Sequence, residues 1–133
     1  MSDSRRNRRT ILEYLSEYDR VVEVGIGRRT DLACALASEG VAVTATDIYP
    51  RETPDGVEFV RDDILDPELS VYADADAIYA RHLPPELHRP TLEVANAAET
   101  AFLFTTLGGD QPSVPVERKT IQTGTVYVAR KIA

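Results

Sequence analysis

The sequence predicts a doubly wound α/β fold with a mainly parallel sheet of about six or seven strands. Three observations predict it. The apolar run 21–24 ends in a Gly-x-Gly turn, Gly25-Ile26-Gly27, and a helix-like segment opens at Thr30-Asp31. About twenty residues after the turn, a second apolar run over 41–46 ends in Asp47. Further β-like runs then alternate with helix-like ones, the order that builds a parallel sheet with crossover connections.

Each element has a local reason. Over 10–18, Ile11, Leu12, Leu15 and Tyr18 recur at helical spacing, and Asp19-Arg20 ends the segment. Strand 21–24 follows. The helix over 31–39 places Leu32, Ala33, Leu36 and Ala37 on one face, with Thr30 as N-cap and Gly40 as stop. Cys34 lies inside it and reads as a small core residue. The strand over 41–46 leads to a loop with Pro50 and Pro54, and Val57-Glu58-Phe59-Val60 alternates as a third strand. The segment 67–73 has room for one or two helical turns only. A fourth strand spans 76–80. After Pro84-Pro85 a helix runs to about Ala98, and Pro90, which lacks an N–H, is expected to break or restart it. The run 101–106 is a buried-type fifth strand. Two last strands, 117–122 and 125–130, flank Thr123-Gly124. Tyr72, Tyr79 and Tyr127 read as core or interface residues.

The length of 133 residues suits one domain over 1–133, with 1–9, rich in Arg5, Arg6, Arg8 and Arg9, as a flexible basic arm. No apolar run approaches the roughly 20 residues of a membrane span, and no apolar signal segment is visible. One cysteine excludes an internal disulfide framework, and His82 and His88, six apart, make no zinc spacing. These readings point to a cytoplasmic protein without a structural metal. The net charge is −7, from 22 acidic and 15 basic residues, and only two of the bases are lysines. That balance argues against a broad nucleic-acid-binding face and fits a salt-adapted, acidic surface.

In such a fold, ligands bind outside the carboxyl ends of the strands where strand order reverses. Residues after strands one to five therefore share one rim: 25–29, 47–48, 62–64, 81–85 and 107–110. Gly25 permits a tight turn, Gly27 lets the backbone approach a ligand, and the following helix start offers N–H groups to an anion. Asp47 suits ribose hydroxyls. Arg28 and Arg29 suit a phosphate or carboxylate. Glu23 either accepts from a ligand amine or caps the turn. Asp62 and Asp63 form a candidate carboxylate pair, although adjacent side chains point apart, one to the rim and one to solvent. His82 is a candidate general base, or a structural residue at a strand end.

These rim residues resemble those of class I S-adenosylmethionine-dependent methyltransferases. Glu23-Val24-Gly25-Ile26-Gly27 matches the first half of their E-x-G-x-G-x-G loop. The resemblance implies that Asp47 holds the ribose, that Ile48 lies beside adenine, and that Asp63-Ile64 meets the adenine amino group. Arg81 joins them on the rim. The third loop position is Arg29 rather than glycine, and Leu83-Pro84-Pro85-Glu86 stands where amino-group methyltransferases carry Asn/Asp-Pro-Pro-aromatic. The dinucleotide pattern G-x-G-x-x-G also stops short, at Thr30. The whole chain further resembles a small archaeal family of uncharacterised Rossmann-like proteins.

Three functions remain open. One is a minimal S-adenosylmethionine-binding protein, if an enzyme then a methyltransferase, whose short chain leaves one rim, or a protein partner, to hold the acceptor. The second is a sensor of NAD or another adenine nucleotide that regulates a partner. The third is a fold kept only for association. The charge balance carries its own expectation. Screening relieves self-repulsion of a chain with net charge −7, so the melting temperature should rise by several degrees from low salt to molar potassium chloride. A flat or falling melting temperature would remove the salt-adapted reading.

Overall fold

The computed structural model describes residues 8–130. Seven strands form one sheet in the order β3-β2-β1-β4-β5-β7-β6. The strands are β1 (Arg20–Val24), β2 (Ala42–Asp47), β3 (Val57–Arg61), β4 (Ala77–Ala80), β5 (Ala101–Phe104), β6 (Val116–Ile121) and β7 (Gly124–Ala129). The first five run parallel, β7 pairs antiparallel with β5, and β6 pairs antiparallel with β7. This is the expected Rossmann-like α/β architecture at the upper strand number. Strand order reverses at β1, which lies between β2 and β4.

Alternation along the strands supplies a core on each face. On one face Val21, Val43, Ala45, Tyr79 and Leu103 pack with Leu32, Ala33 and Leu36 of helix α2 (Asp31–Ser38) and with Leu15 of α1 (Ile11–Leu15). On the other, Val22, Ile78, Phe102 and Phe104 pack with Leu92 and Ala95 of α3 (His88–Ala97) and with Tyr72. Tyr72 and Tyr79 are fully buried and Tyr127 nearly so, the core placement expected of them.

Several boundaries differ from expectation, each for a local reason. Helix α1 stops at Leu15 rather than Tyr18; its start carries a reciprocal cap between Thr10 and Glu13. Arg9, in the arm, is tied to α1: it donates to the Glu13 carbonyl at 2.9 Å, pairs with Glu17 and lies 4.2 Å from the Tyr14 ring centre. Arm residues 1–7 lie outside the described residues. Thr30 makes no side-chain cap to α2 because its own backbone is already helical, at φ −102° and ψ 0°. Cys34 is exposed rather than in the core. Its position, two residues after Leu32 and two before Leu36, turns it to the far side of a helix that advances about 100° per residue.

Gly40 ends α2 as expected. At φ +88° it completes a motif in which its N–H reaches the Ala37 carbonyl and that of Val41 reaches Leu36. Pro90 does not break its helix. A 3-10 turn over Pro85–Leu87 passes into α3 at His88, so Pro90 falls in the first turn, where an N–H has no partner within the helix. Strand β5 ends at Phe104, which leaves Thr105 and Thr106 on the rim. The final hairpin is shifted by one residue, pairing Ile121 with Gly124. The link from β3 to β4 holds one short 3-10 turn, Leu69–Val71, as its length required.

Candidate functional site

The turn after β1 is built by backbone geometry. Gly25 and Gly27 have φ of +70° and +57°, and a Cβ at either would meet nothing within 4 Å. Conformation alone therefore asks for glycine, and the space beside the turn is open. The turn is fastened to the end of β2. Gly25 N and Ile26 N donate to the Thr46 carbonyl, each at 3.0 Å, and Gly27 N donates to Asp47 Oδ2 at 2.8 Å. Asp47 Oδ1 accepts from Tyr49 N at 3.0 Å. Arg51, absent from the sequence reading, covers this carboxylate, with Nε 3.4 Å from Oδ2, and Asp47 is only 8% exposed. Arg51 Nε makes no hydrogen bond among the described residues. Its position four residues after Asp47 is a signal in principle, but Pro50 removes the helical context in which that spacing would be read.

Glu23 lies on the same strand as the turn and is 2% exposed. It points to the face shared with Tyr79, whose hydroxyl donates to Glu23 Oε1 at 2.7 Å. Burial raises the Glu23 carboxyl to about 7; the Tyr79 hydrogen bond and the Arg81 charge oppose that shift, and the Asp31 charge adds to it. Burial also raises Tyr79 above the usual phenol value, as does the neighbouring Glu23. Glu23 is therefore a bonded core carboxyl rather than a cap of the turn, and its acid form matches its surroundings.

Arg81, at the exit of β4, reaches back to α2. Its two terminal nitrogens donate to Asp31 at 3.0 and 3.2 Å, and one also donates to the Arg29 carbonyl at 3.2 Å. The Arg81 bond holds Asp31 below the ordinary carboxylate value. Burial works against the Arg81 charge, but Asp31 and Glu23 outweigh it and keep the guanidinium above its usual value. The sequence did not single out Asp31, which reads as an ordinary acidic first-turn residue.

Next to Arg81 stands His82, exposed, with φ +53°, a conformation that costs a non-glycine residue about 1–3 kcal/mol. Thr105 holds it there: His82 N donates to Thr105 Oγ1 at 3.0 Å. Arg29, at the third position of the loop, points its Nη1 at His82 Nδ1, 3.0 Å away. A guanidinium only donates, so Nδ1 accepts and the proton of a neutral ring sits on Nε2.

Ile48 is half exposed beside Tyr49, and the two border a hollow of about 560 Å³ with Arg61, Asp62 and Asp63. Ile64 is buried in the core rather than facing this hollow. The adjacent acids both border this hollow, rather than one facing the rim and one solvent, and they have different partners. Asp62 accepts the Tyr72 hydroxyl at 2.6 Å, while Asp63 accepts from Leu65 N at 2.9 Å within its own turn. Burial, then Asp62, raises Tyr72 above the phenol norm. A second cavity of about 270 Å³ lies under the glycine turn between Glu23, Gly27, Arg29, Arg81 and His82. The structure thus brings Glu23, Gly25, Gly27, Arg29, Arg81 and His82 to one cavity. Asp47 joins them through Gly27, and Ile48 and Asp63 line the neighbouring hollow.

Residues 8–132 match the uncharacterised protein family UPF0146. The chain belongs to that family. A UPF0146 protein of Halobacterium salinarum is 53% identical over 122 residues, 91% of this chain and 95% of that protein. One of Archaeoglobus fulgidus is 42% identical over 102 residues, 75% of this chain and 78% of that one.

Among solved structures, two with bound S-adenosylhomocysteine share the fold. The Burkholderia thailandensis 1,6-didemethyltoxoflavin-N1-methyltransferase has a TM-score of 0.51 and 23% identity, covering 90% of this chain and 57% of its own. The N-terminal domain of EvdMO1 has a TM-score of 0.55 and 15% identity, covering 98% and 67%. The CcbJ methyltransferase of Streptomyces caelestis has a TM-score of 0.55 and 14% identity, covering 83% and 57%. The UPF0146 chain spans about half to two thirds of these structures, and at such identities the likeness shows the fold. No described helix is long and apolar enough to cross a membrane.

The buried carboxyl of Glu23 makes stability depend on pH. With the folded value raised from 4.5 to about 7, its stabilising contribution is complete below 4.5 and is lost as pH climbs through 7. A displacement of that size is worth roughly 3 kcal/mol. Glu23→Gln keeps an acceptor for Tyr79 and removes the titration. The variant should match the parent near pH 4.5 and exceed it in denaturant-unfolding free energy at pH 8. Parallel pH profiles for the two proteins would show that Glu23 titrates as an exposed acid.

Proposed function

We propose that the chain is a methyltransferase-like protein that binds S-adenosylmethionine or a related adenine ligand along the carboxyl rim of β2, β1 and β4. One observation carries the reading. The Gly25–Gly27 turn, open above its backbone, is hydrogen-bonded to Asp47 at the point where strand order reverses. In this reading the ribose lies against Asp47 and the adenine lies over Ile48 in the hollow beside Asp63. The methionine end enters the cavity between Glu23, Arg29 and Arg81. Each Asp47 oxygen retains acceptor capacity after its bonds to Gly27 and Tyr49. Arg51 has to turn outward, which breaks a largely buried ion pair that the ribose hydroxyls must replace. A ligand ammonium beside Glu23 favours the ionised carboxylate. The bound S-adenosylhomocysteine of two solved neighbours supports the reading by analogy of fold. Its acid excess also makes this a salt-adapted cytoplasmic protein in our reading.

A second reading, NAD or another phosphate-bearing nucleotide, draws on Arg28 and Arg29 at the start of α2, whose Thr30 supplies no side-chain cap. Asp31 weighs against it. Its carboxylate already stands at the positive end of that helix, backed by Arg81, where a phosphate would have to sit.

Calorimetry with S-adenosylhomocysteine tests the proposal. Asp47→Ala should weaken binding about ten- to a hundredfold, because hydrogen bonds to a charged partner are worth about 1.5–3 kcal/mol. An unchanged affinity in a folded variant would take Asp47 out of the site. Arg29→Gly should spare or improve S-adenosylmethionine binding and weaken NAD binding. Loss of S-adenosylmethionine binding with NAD unaffected would mean that Arg29 pairs with the methionine carboxylate and would end the nucleotide reading. No binding of either ligand at millimolar concentration would leave association as the remaining function.

A further inference from the structure

A larger cleft, of about 640 Å³, adjoins the cavity under the glycine turn and shares Arg29, Arg81 and His82 with it. Its other walls are Ile11 and Leu12 of α1, Thr105 and Thr106 beyond β5, and Thr125 and Tyr127 of β7. The volume is that of a small-molecule site, with an apolar wall and a few convergent polar groups. We infer that this cleft binds a second small molecule carrying a carboxylate and, next to it, an O–H or N–H, the chemistry of a hydroxy acid or an amino acid.

The charges at the mouth of the cleft choose the anion. Asp31 is satisfied by the two-pronged contact from Arg81, so these two charges offset each other. Arg29 has no carboxylate partner among the described residues; its contact is the His82 Nδ1. A guanidinium prefers a carboxylate to an imidazole. A chain with net charge −7 thus keeps an uncompensated cation beside a cleft. With Asp31 in the same lining, a singly charged carboxylate suits it better than a doubly charged phosphate.

His82 accounts for the second group. Its strained backbone is held by two bonds to Thr105: His82 N donates to the hydroxyl, and Leu83 N donates to the carbonyl at 2.9 Å. A carboxylate that draws Arg29 away leaves His82 Nδ1 without its donor. An O–H or N–H adjacent to the carboxylate restores that bond. Arg29 is then the anion anchor, and His82 reads the neighbouring hydrogen.

The inference does not need the adenosyl ligand, and the test separates the two. The chain has two histidines, so their imidazole resonances in a histidine-labelled sample are readily followed by NMR. His88 is the internal reference: it is buried, with Nε2 bonded to the Leu83 carbonyl at 2.9 Å and Nδ1 accepting from Ser113 N at 3.1 Å. Titration with glycolate should move the His82 resonances to saturation in the millimolar range and leave those of His88 in place. Acetate, which lacks the hydroxyl, should act more weakly, and chloride at matched ionic strength should not act. Arg29→Gln should abolish the shift, and Arg29→Lys should retain part of it. With S-adenosylhomocysteine saturating, the glycolate shift should persist. Four results would each overturn the inference: no shift, an equal shift with chloride, a shift unchanged in Arg29→Gln, or displacement of glycolate by S-adenosylhomocysteine. If S-adenosylhomocysteine itself fails to bind, the adenosyl reading falls while the glycolate titration still decides the cleft.

Discussion

The three consecutive N–H groups of Gly25, Ile26 and Gly27, all bonded to the end of β2, are the contact on which the rest of the rim depends. They set the turn's direction, so they set where α2 begins. Asp31 therefore comes within reach of Arg81 from β4, and Arg29 comes within reach of His82. One carboxylate, Asp47, thereby ties β2 to a loop whose side chains engage the end of β4. Buried backbone donors need partners, and here a side-chain acceptor supplies one where the strand ladder has ended.

The same arrangement explains why Glu23 is tolerated two residues before the turn. A carboxyl on a central strand between β2 and β4 is only 2% exposed, and burying a charge there without a partner is costly. Tyr79, its register partner across the β1–β4 ladder, offers a hydroxyl, and the acid form accepts it without a net charge. Arg81 lies near enough to favour ionisation but is committed to Asp31. Burial raises the Glu23 carboxyl, and the Tyr79 hydrogen bond, then the Arg81 charge, hold that rise to about 7.

Much of the fold was legible because it rests on local patterns: apolar runs of strand length, two glycines that only a tight turn explains, and Gly40 as a helix stop. Boundaries were less legible. Pro90 reads as a breaker until the 3-10 turn before it shows that the helix starts only two residues earlier. Cys34 reads as core on composition, whereas its angular position decides otherwise. At the site, the residues on the glycine turn and at strand ends were placed by topology. Their partners were not, because the contacts that matter span 50 to 56 residues, as in Arg81 with Asp31 and Tyr79 with Glu23. Pairing across strands is set by register, which no single-chain periodicity reveals. Ile64 shows the converse: a motif position identified by resemblance turns inward, because in this chain the short β3–β4 link has to supply a core residue.

That short link bears on the economy of the whole molecule. With one 3-10 turn between β3 and β4, no described helix covers the face of β1, β2 and β3 opposite α2, and that face holds an open groove of about 490 Å³. The groove is lined by polar side chains, Thr44 and Glu58 on the strands and Arg20 at the start of β1, together with Val22, Val60 and Val71. The opposite end of the sheet is treated differently. There β6 and β7 fold back beside β5, and with α1 they wall the cleft at the carboxyl rim. The chain thus omits a helix from the sheet face at β1–β3 and keeps α1 and the β6–β7 hairpin at the cleft. That asymmetry suits the binding we propose: the sheet tolerates a solvated face, but a cleft without its walls retains no ligand.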